Sequence, residues 1–148
     1  MAARDSDVRV LIVEDDEDLA AILRATLERH GLKTFHAETG GRALELSDQV
    51  DPDLVVLDLT LPDIDGFAVV DWLRGHGRLG RLPLVVYTAR DIDAEERGRL
   101  RLGDQTVFFT KGRITPEQVE ERVMQLLGRI PQHGEELVLD GAEASTGG

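Results

Sequence analysis

Through most of the chain, short apolar runs alternate with longer amphipathic stretches. Val8 to Val13, Leu54 to Leu57, Leu84 to Tyr87 and the shorter Val107 to Phe109 are nearly continuous and rich in β-branched side chains. That pattern predicts strands covered on both faces, and therefore parallel ones. Leu32 to His36 is interrupted by Lys33 and Thr34, which predicts an edge strand with one flank in water.

The stretches between them carry helical spacing. Leu19, Ile22, Leu23 and Leu27 follow the acidic turn Asp16-Glu17-Asp18, whose charge suits the positive end of a helix dipole, and Gly31 supplies a stop. Ala43, Leu46 and Val50 mark a second helix, closed by Pro52. Phe67, Val70 and Leu73 mark a third, ending in Gly75-His76-Gly77. A fourth, between Asp91 and Leu102, is weakened by Gly98, at about 1 kcal/mol relative to alanine. The fifth has Thr115 as N-cap and Pro116 at its first position. Val119, Val123, Leu126 and Leu127 lie on one face, and Gly128 and Pro131 form the exit.

Five strands alternating with five helices predict an open α/β sheet with right-handed crossovers. Ligands of such sheets bind beyond the carboxyl ends of the strands, where the strand order reverses. The expected organisation is a flexible N-terminus over residues 1–7, one domain over 8–130, and a disordered tail or cut linker over 131–148. Within that tail, Glu136 to Asp140 has the pattern of one short strand.

Composition narrows the class. At 148 residues the chain has the size of one domain, and 41% hydrophobic with 31% charged residues sets aside disorder and fibrous repeats. The absence of cysteine excludes disulfides, thiolate zinc and a cysteine nucleophile. No apolar stretch is long enough to span a membrane, and the first residues are too polar for a signal peptide, so a cytoplasmic protein with no membrane contact is expected. A net charge of −12 argues against direct nucleic-acid binding. The imbalance sits early, with six basic against sixteen acidic side chains over residues 1–65 and eleven against thirteen over the rest.

The chemistry gathers at the strand ends: Glu14, Asp15 and Asp16 after the first, Asp58 after the third, Thr88 after the fourth and Lys111 after the fifth. If the first and third strands are neighbours, carboxylates about 5 Å apart repel by about 3 kcal/mol per pair at an effective dielectric of 20. Either one carboxyl keeps a proton or a cation is present, and an all-oxygen donor set selects a hard ion such as Mg²⁺. With a hydroxyl donor at Thr88 and an ammonium at Lys111, the set describes a phosphoryl site. An aspartate can itself be the nucleophile there, and Asp58 is the most central acid.

The segments Val13-Glu14-Asp15-Asp16, Asp58-Leu59-Thr60-Leu61-Pro62-Asp63-Ile64-Asp65-Gly66 and Tyr87-Thr88-Ala89, with Lys111, closely resemble the receiver domain of two-component response regulators over about residues 8–128. The resemblance implies a flavodoxin-like fold with strand order 2-1-3-4-5. It implies Asp15 as direct Mg²⁺ ligand, Glu14 acting through water, Asp58 as phosphoacceptor and ligand, and the Thr60 carbonyl as a further ligand. It also implies Thr88 as phosphoryl-sensing hydroxyl, Lys111 as counter-ion, Phe108 as the switching aromatic, and Asp16 as a helix cap outside the acidic pair. The chain departs from the family at Gly112, where proline usually follows the lysine. Glycine permits that turn without enforcing it. Thr60 and Arg90 stand at positions where the family tunes phosphoryl lifetime.

The expected function is a phosphorylation-activated switch. It takes its phosphoryl group from a sensor histidine kinase or phosphotransfer protein and signals to a protein effector through the face of the fourth helix, fifth strand and fifth helix. Two rivals remain at this level: an interaction module working without phosphorylation, and a small aspartyl-phosphate phosphohydrolase, which generally wants a second Asp where Thr60 stands. Read singly, the early acids are a solvated helix start, Phe108 is plain core and His30, His36, His76 and His133 are surface residues. The arginines between Arg74 and Arg101 form either a basic output face or ordinary solvated surface.

Overall fold

The computed structural model describes residues 7–129. The expected tail, its short strand at Glu136 to Asp140, His133 and all but the last residue of the expected flexible N-terminus lie outside the described residues. Five strands, β1 (Arg9–Val13), β2 (Lys33–Ala37), β3 (Leu54–Leu57), β4 (Leu84–Thr88) and β5 (Thr106–Thr110), alternate with five helices. These are α1 (Glu17–Glu28), α2 (Gly40–Val50), α3 (Gly66–Arg74), α4 (Ala94–Leu100) and α5 (Pro116–Leu126). The sheet is parallel throughout in the order β2-β1-β3-β4-β5, so the α/β, flavodoxin-like expectation is borne out.

Period-two alternation divides the sheet between two cores. Leu11, Val13, Val55, Leu57, Leu84 and Val86 face one, with Ala43 and Leu46 of α2 and Val70 and Leu73 of α3. Val10, Ile12, Leu54, Val56, Val85 and Tyr87 face the other, with Leu23 and Leu27 of α1 and Val119 and Val123 of α5. Because β1, β3 and β4 are buried on both faces, nearly every residue in them is apolar.

The helix starts are written locally. The Asp16 carboxylate accepts from the Asp18 and Leu19 N–H groups, and Thr39 and Asp65 cap α2 and α3. Asp93 with Glu96, and Thr115 with Gln118, form reciprocal capping boxes on α4 and α5. The weak fourth helix is only seven residues long.

Three details differ from the sequence reading. β5 pairs only with β4, so it is the second edge strand; Val107 is buried while Phe108 and Phe109 are half-buried. The buried stripe of α5 is Val119, Val123 and Met124, with Leu126 and Leu127 half-buried. An aromatic run predicts covered faces, but side chains can provide that cover as well as packed elements do. A 3₁₀ turn at Gly77–Arg81 also follows α3, where the sequence predicts a loop.

Candidate functional site

β1 and β3 run side by side with Val13 opposite Leu57, so Glu14 and Asp58 emerge together from the carboxyl edge. The ladder continues one step past each strand. The Asp58 N–H donates to the Val13 carbonyl at 2.9 Å, and the Glu14 N–H to the Ala37 carbonyl at 3.0 Å. Both acids therefore sit on backbone fixed by the sheet rather than on free loop. Glu14 is 2% and Asp58 5% exposed, whereas Asp15 is open to solvent. Carboxylate oxygens of all three lie within 4.8 Å of one another.

Lys111 completes the cluster from the far side of β4. Its N–H donates to the Thr88 carbonyl at 2.9 Å, aligning the ends of β4 and β5. Its ammonium passes 5.9 Å from the centre of the Tyr87 ring, and Nζ reaches Glu14 Oε1 at 2.8 Å and Asp58 Oδ2 at 3.1 Å. One ammonium thus serves two buried carboxylates. Burial pushes the Glu14 carboxyl up, and the Asp58 charge adds to it. The hydrogen bond and charge of Lys111 and the Asp16 N–H oppose this, leaving the group at about 7. For Lys111, burial works against the ammonium, but the hydrogen bond and charge of Glu14, then those of Asp58, hold it above its ordinary value. Neutrality is reached by a shared proton or a cation.

Thr88 is fully buried, and its hydroxyl has no hydrogen-bond partner. A buried polar atom without a partner costs about 1–3 kcal/mol. The Thr60 N–H donates to Asp58 Oδ1 at 3.3 Å, which keeps Thr60 beside the acid. Phe108 lies away from the cluster, half-buried on β5. Gly112 takes φ +91°, a region that only glycine enters freely. The Arg113 and Ile114 N–H groups both donate to the Thr110 carbonyl there. The turn that proline usually shapes is made here by glycine, with every described peptide bond trans.

Two supporting residues escaped the sequence reading. His36, expected on the surface, is half-buried and its Nε2 donates to the Glu14 carbonyl at 2.7 Å, pinning the backbone of the first acid. Asp63 receives the Gly40 and Gly41 N–H groups at 2.7 and 2.8 Å. The Gly41 hydrogen bond above all holds its carboxyl below the ordinary value. A Cβ on Gly40 would sit 2.2 Å from Ile64 Cγ1, so the loop after Asp58 lies directly on the start of α2. The sequence signal for this clasp is an acid directly after Pro62, matched by the Gly40-Gly41 pair behind the Thr39 cap. His30 pairs with Glu120 and His76 stacks on Trp72 at 3.7 Å, both exposed.

Glu14, Asp15 and Asp58 could together hold a metal ion. The donors are all oxygen, two are buried and fixed, and the third is open enough to leave room for water, a combination that suits a small hard dication.

Residues 10–123 match the family model described as the response regulator receiver domain. The chain is 32% identical over 111 residues to the polar-differentiation response regulator DivK of Brucella ovis, across 75% of this chain and 89% of that protein. It is 34% identical over 121 residues to the alkaline phosphatase synthesis transcriptional regulatory protein PhoP of Bacillus subtilis, across 82% of this chain and 49% of that protein. Among solved structures, it is similar to the signal receiver domain of a signal transduction histidine kinase from Syntrophus aciditrophicus, with TM-score 0.69 and 30% identity over 84% of this chain and 93% of that one. It is also similar to a CheY-like response regulator receiver domain from Methylobacillus flagellatus, with TM-score 0.66 and 26% identity over 81% and 98%.

Proposed function

The chain belongs to the response regulator receiver domain family, and from that premise we propose that it is a two-component switch in which Asp58 accepts a phosphoryl group. The donor is a phosphohistidine on a sensor histidine kinase or phosphotransfer protein. What carries the reading is the convergence of three carboxylates within 4.8 Å, two of them already bridged by Lys111.

Asp15, Asp58 and the Thr60 carbonyl, with Glu14 through water, would hold Mg²⁺, which would supply positive charge to offset the acids and the incoming phosphoryl oxygens. An Asp58 carboxylate oxygen forms a bond to phosphorus as the bond from phosphorus to the donor imidazole nitrogen breaks, and that nitrogen keeps the electron pair. Lys111, already beside Asp58, is the standing counter-charge for the phosphorylated product. Thr88 then donates its unpartnered hydroxyl to a phosphoryl oxygen. Phe108 moves into the space released, and the face of α4, β5 and α5 changes its affinity for a downstream protein effector. Catalysis is confined to the chain's own phosphorylation and dephosphorylation. Among the described residues no helix is long and apolar enough to cross a membrane, and the protein acts in the cytoplasm.

The test is incubation of the full chain with acetyl phosphate, with and without Mg²⁺, followed by intact-mass measurement of wild type and Asp58→Asn. A metal-dependent gain of one phosphoryl group in wild type alone is the expected result. Continuous phosphate release from varied small substrates would favour the hydrolase instead. A wild-type mass that never changes would leave the interaction module that works without phosphorylation.

A further inference from the structure

The charge excess of this chain is reversed on one part of its surface. Arg99 lies over the Phe67 ring at 4.4 Å and Arg90 over the same ring at 5.8 Å, while Arg97 and Arg101 cover Phe108 at 5.1 and 5.9 Å. Phe67 belongs to α3 and Phe108 to β5, so the row ties three elements together. Arg74 anchors it from below, donating to the Arg99 and Arg101 carbonyls at 2.9 and 2.6 Å. Arg90 and Arg74 have carboxylate partners in Glu96 and Asp71. Arg97, Arg99 and Arg101 form no ion pair among the described residues, although the chain carries 29 acidic residues.

A guanidinium stacked on an aromatic ring is held flat, with its N–H fork still available, and it loses little freedom when it pairs. We propose that this arginine row on α3, α4 and β5 docks an acidic protein segment, whose carboxylates take Arg97, Arg99 and Arg101 in forked pairs. The inference names the partner class for the output of the switch and rests on that reading. It also places the contact to one side of the expected face, because α5 offers Glu117 and Glu121, which repel the same partner. Nucleic acid fits less well. A long polyanion would run from the row onto those glutamates and onto Asp91, Asp93 and Glu95, in a chain of net charge −12. Phe108 is the ring beneath two of the arginines, so its movement on phosphorylation alters the docking surface directly.

The closing experiment measures binding of a fluorescein-labelled oligoglutamate peptide to the full unphosphorylated chain at low salt, with phosphorylation followed in parallel by intact mass. Replacing Arg97, Arg99 and Arg101 together by glutamine is expected to weaken binding about tenfold or more, as for a direct charge-paired contact. Arg42→Gln on α2 should bind as wild type does. The triple lysine variant keeps the charge but loses the stacked fork, and should bind several-fold more weakly. Equal binding by wild type and the glutamine variant, or by wild type and the lysine variant, would overturn the proposal. So would oligothymidine binding as tightly as the peptide and lost in the same variants, or self-association of wild type that the variants abolish. No peptide binding by the wild-type chain, with its phosphorylation intact, would sink the docking surface alone. The reverse would sink the switch alone.

Discussion

Two clusters of like charge stand on different parts of this sheet, and they are tolerated in opposite ways. At the ends of β1 and β3, Glu14 and Asp58 are buried on backbone locked by ladder hydrogen bonds, and a single lysine is shared between them. On α4 and after it, Arg99 and Arg101 are exposed and Arg97 half-buried, resting on two rings. Burial makes charge expensive unless a specific partner is present. Exposure lets water do the same work for almost nothing. A buried cluster is therefore committed to one chemistry and one geometry, while an exposed one stays available to whatever complements it.

The hardest strain on that comparison is Lys111→Met, which leaves two buried carboxylates without their counter-charge. Stability at neutral pH without divalent metal should fall by about 3 kcal/mol, and Mg²⁺ should recover more of it than in wild type. Thermal unfolding with and without chelator measures this, and an unchanged midpoint would refute a charge-strained site.

Next comes pH. The folded Glu14 carboxyl holds its proton up to about 7, above its ordinary value of 4.5. Between those values the folded state binds a proton that the unfolded chain has released. This contribution is present below pH 4.5 and lost as pH rises through 7, a fall of about 2 kcal/mol once the opposing influence of other groups is allowed for. Denaturant titrations of metal-free protein across that window should show the slope, and Glu14→Gln should flatten it. Thr88→Val follows, removing the unpartnered hydroxyl at nearly constant shape. Denaturant titration should show stability raised by about 1 kcal/mol, while phosphorylation no longer changes partner binding.

The smallest effect belongs to the arginine row. Arg99→Gln removes an exposed guanidinium from Phe67 and should shift stability by less than about 0.5 kcal/mol. A loss as large as that of Lys111→Met would mean the row is structural, and the contrast between the two clusters would collapse.

Much of this architecture was legible because it is written in neighbouring residues. The continuous apolar runs of β1, β3 and β4 announced doubly covered strands, the break at Lys33 and Thr34 announced an edge, and Asp16, Thr115 and Pro116 announced helix starts at the residues where they occur. β5 was harder, because Phe108 and Phe109 look like core in a sequence and only the packed molecule shows guanidinium groups acting as part of the cover of Phe108. The acids, the threonine and the lysine could be assigned to strand ends for the same local reason.

What no window of sequence contains is the meeting of Lys111 with Asp58, 53 positions away, of His36 with the Glu14 carbonyl, of Asp63 with Gly40 and Gly41, or of Arg74 with the Arg99 and Arg101 carbonyls at the end of α4. Period, cap and turn chemistry act over one or two turns of chain and determined the elements and their order. Strand order and register, set by burying both faces of one sheet at once, decided which of those elements became neighbours, and with them the charge balance of the site.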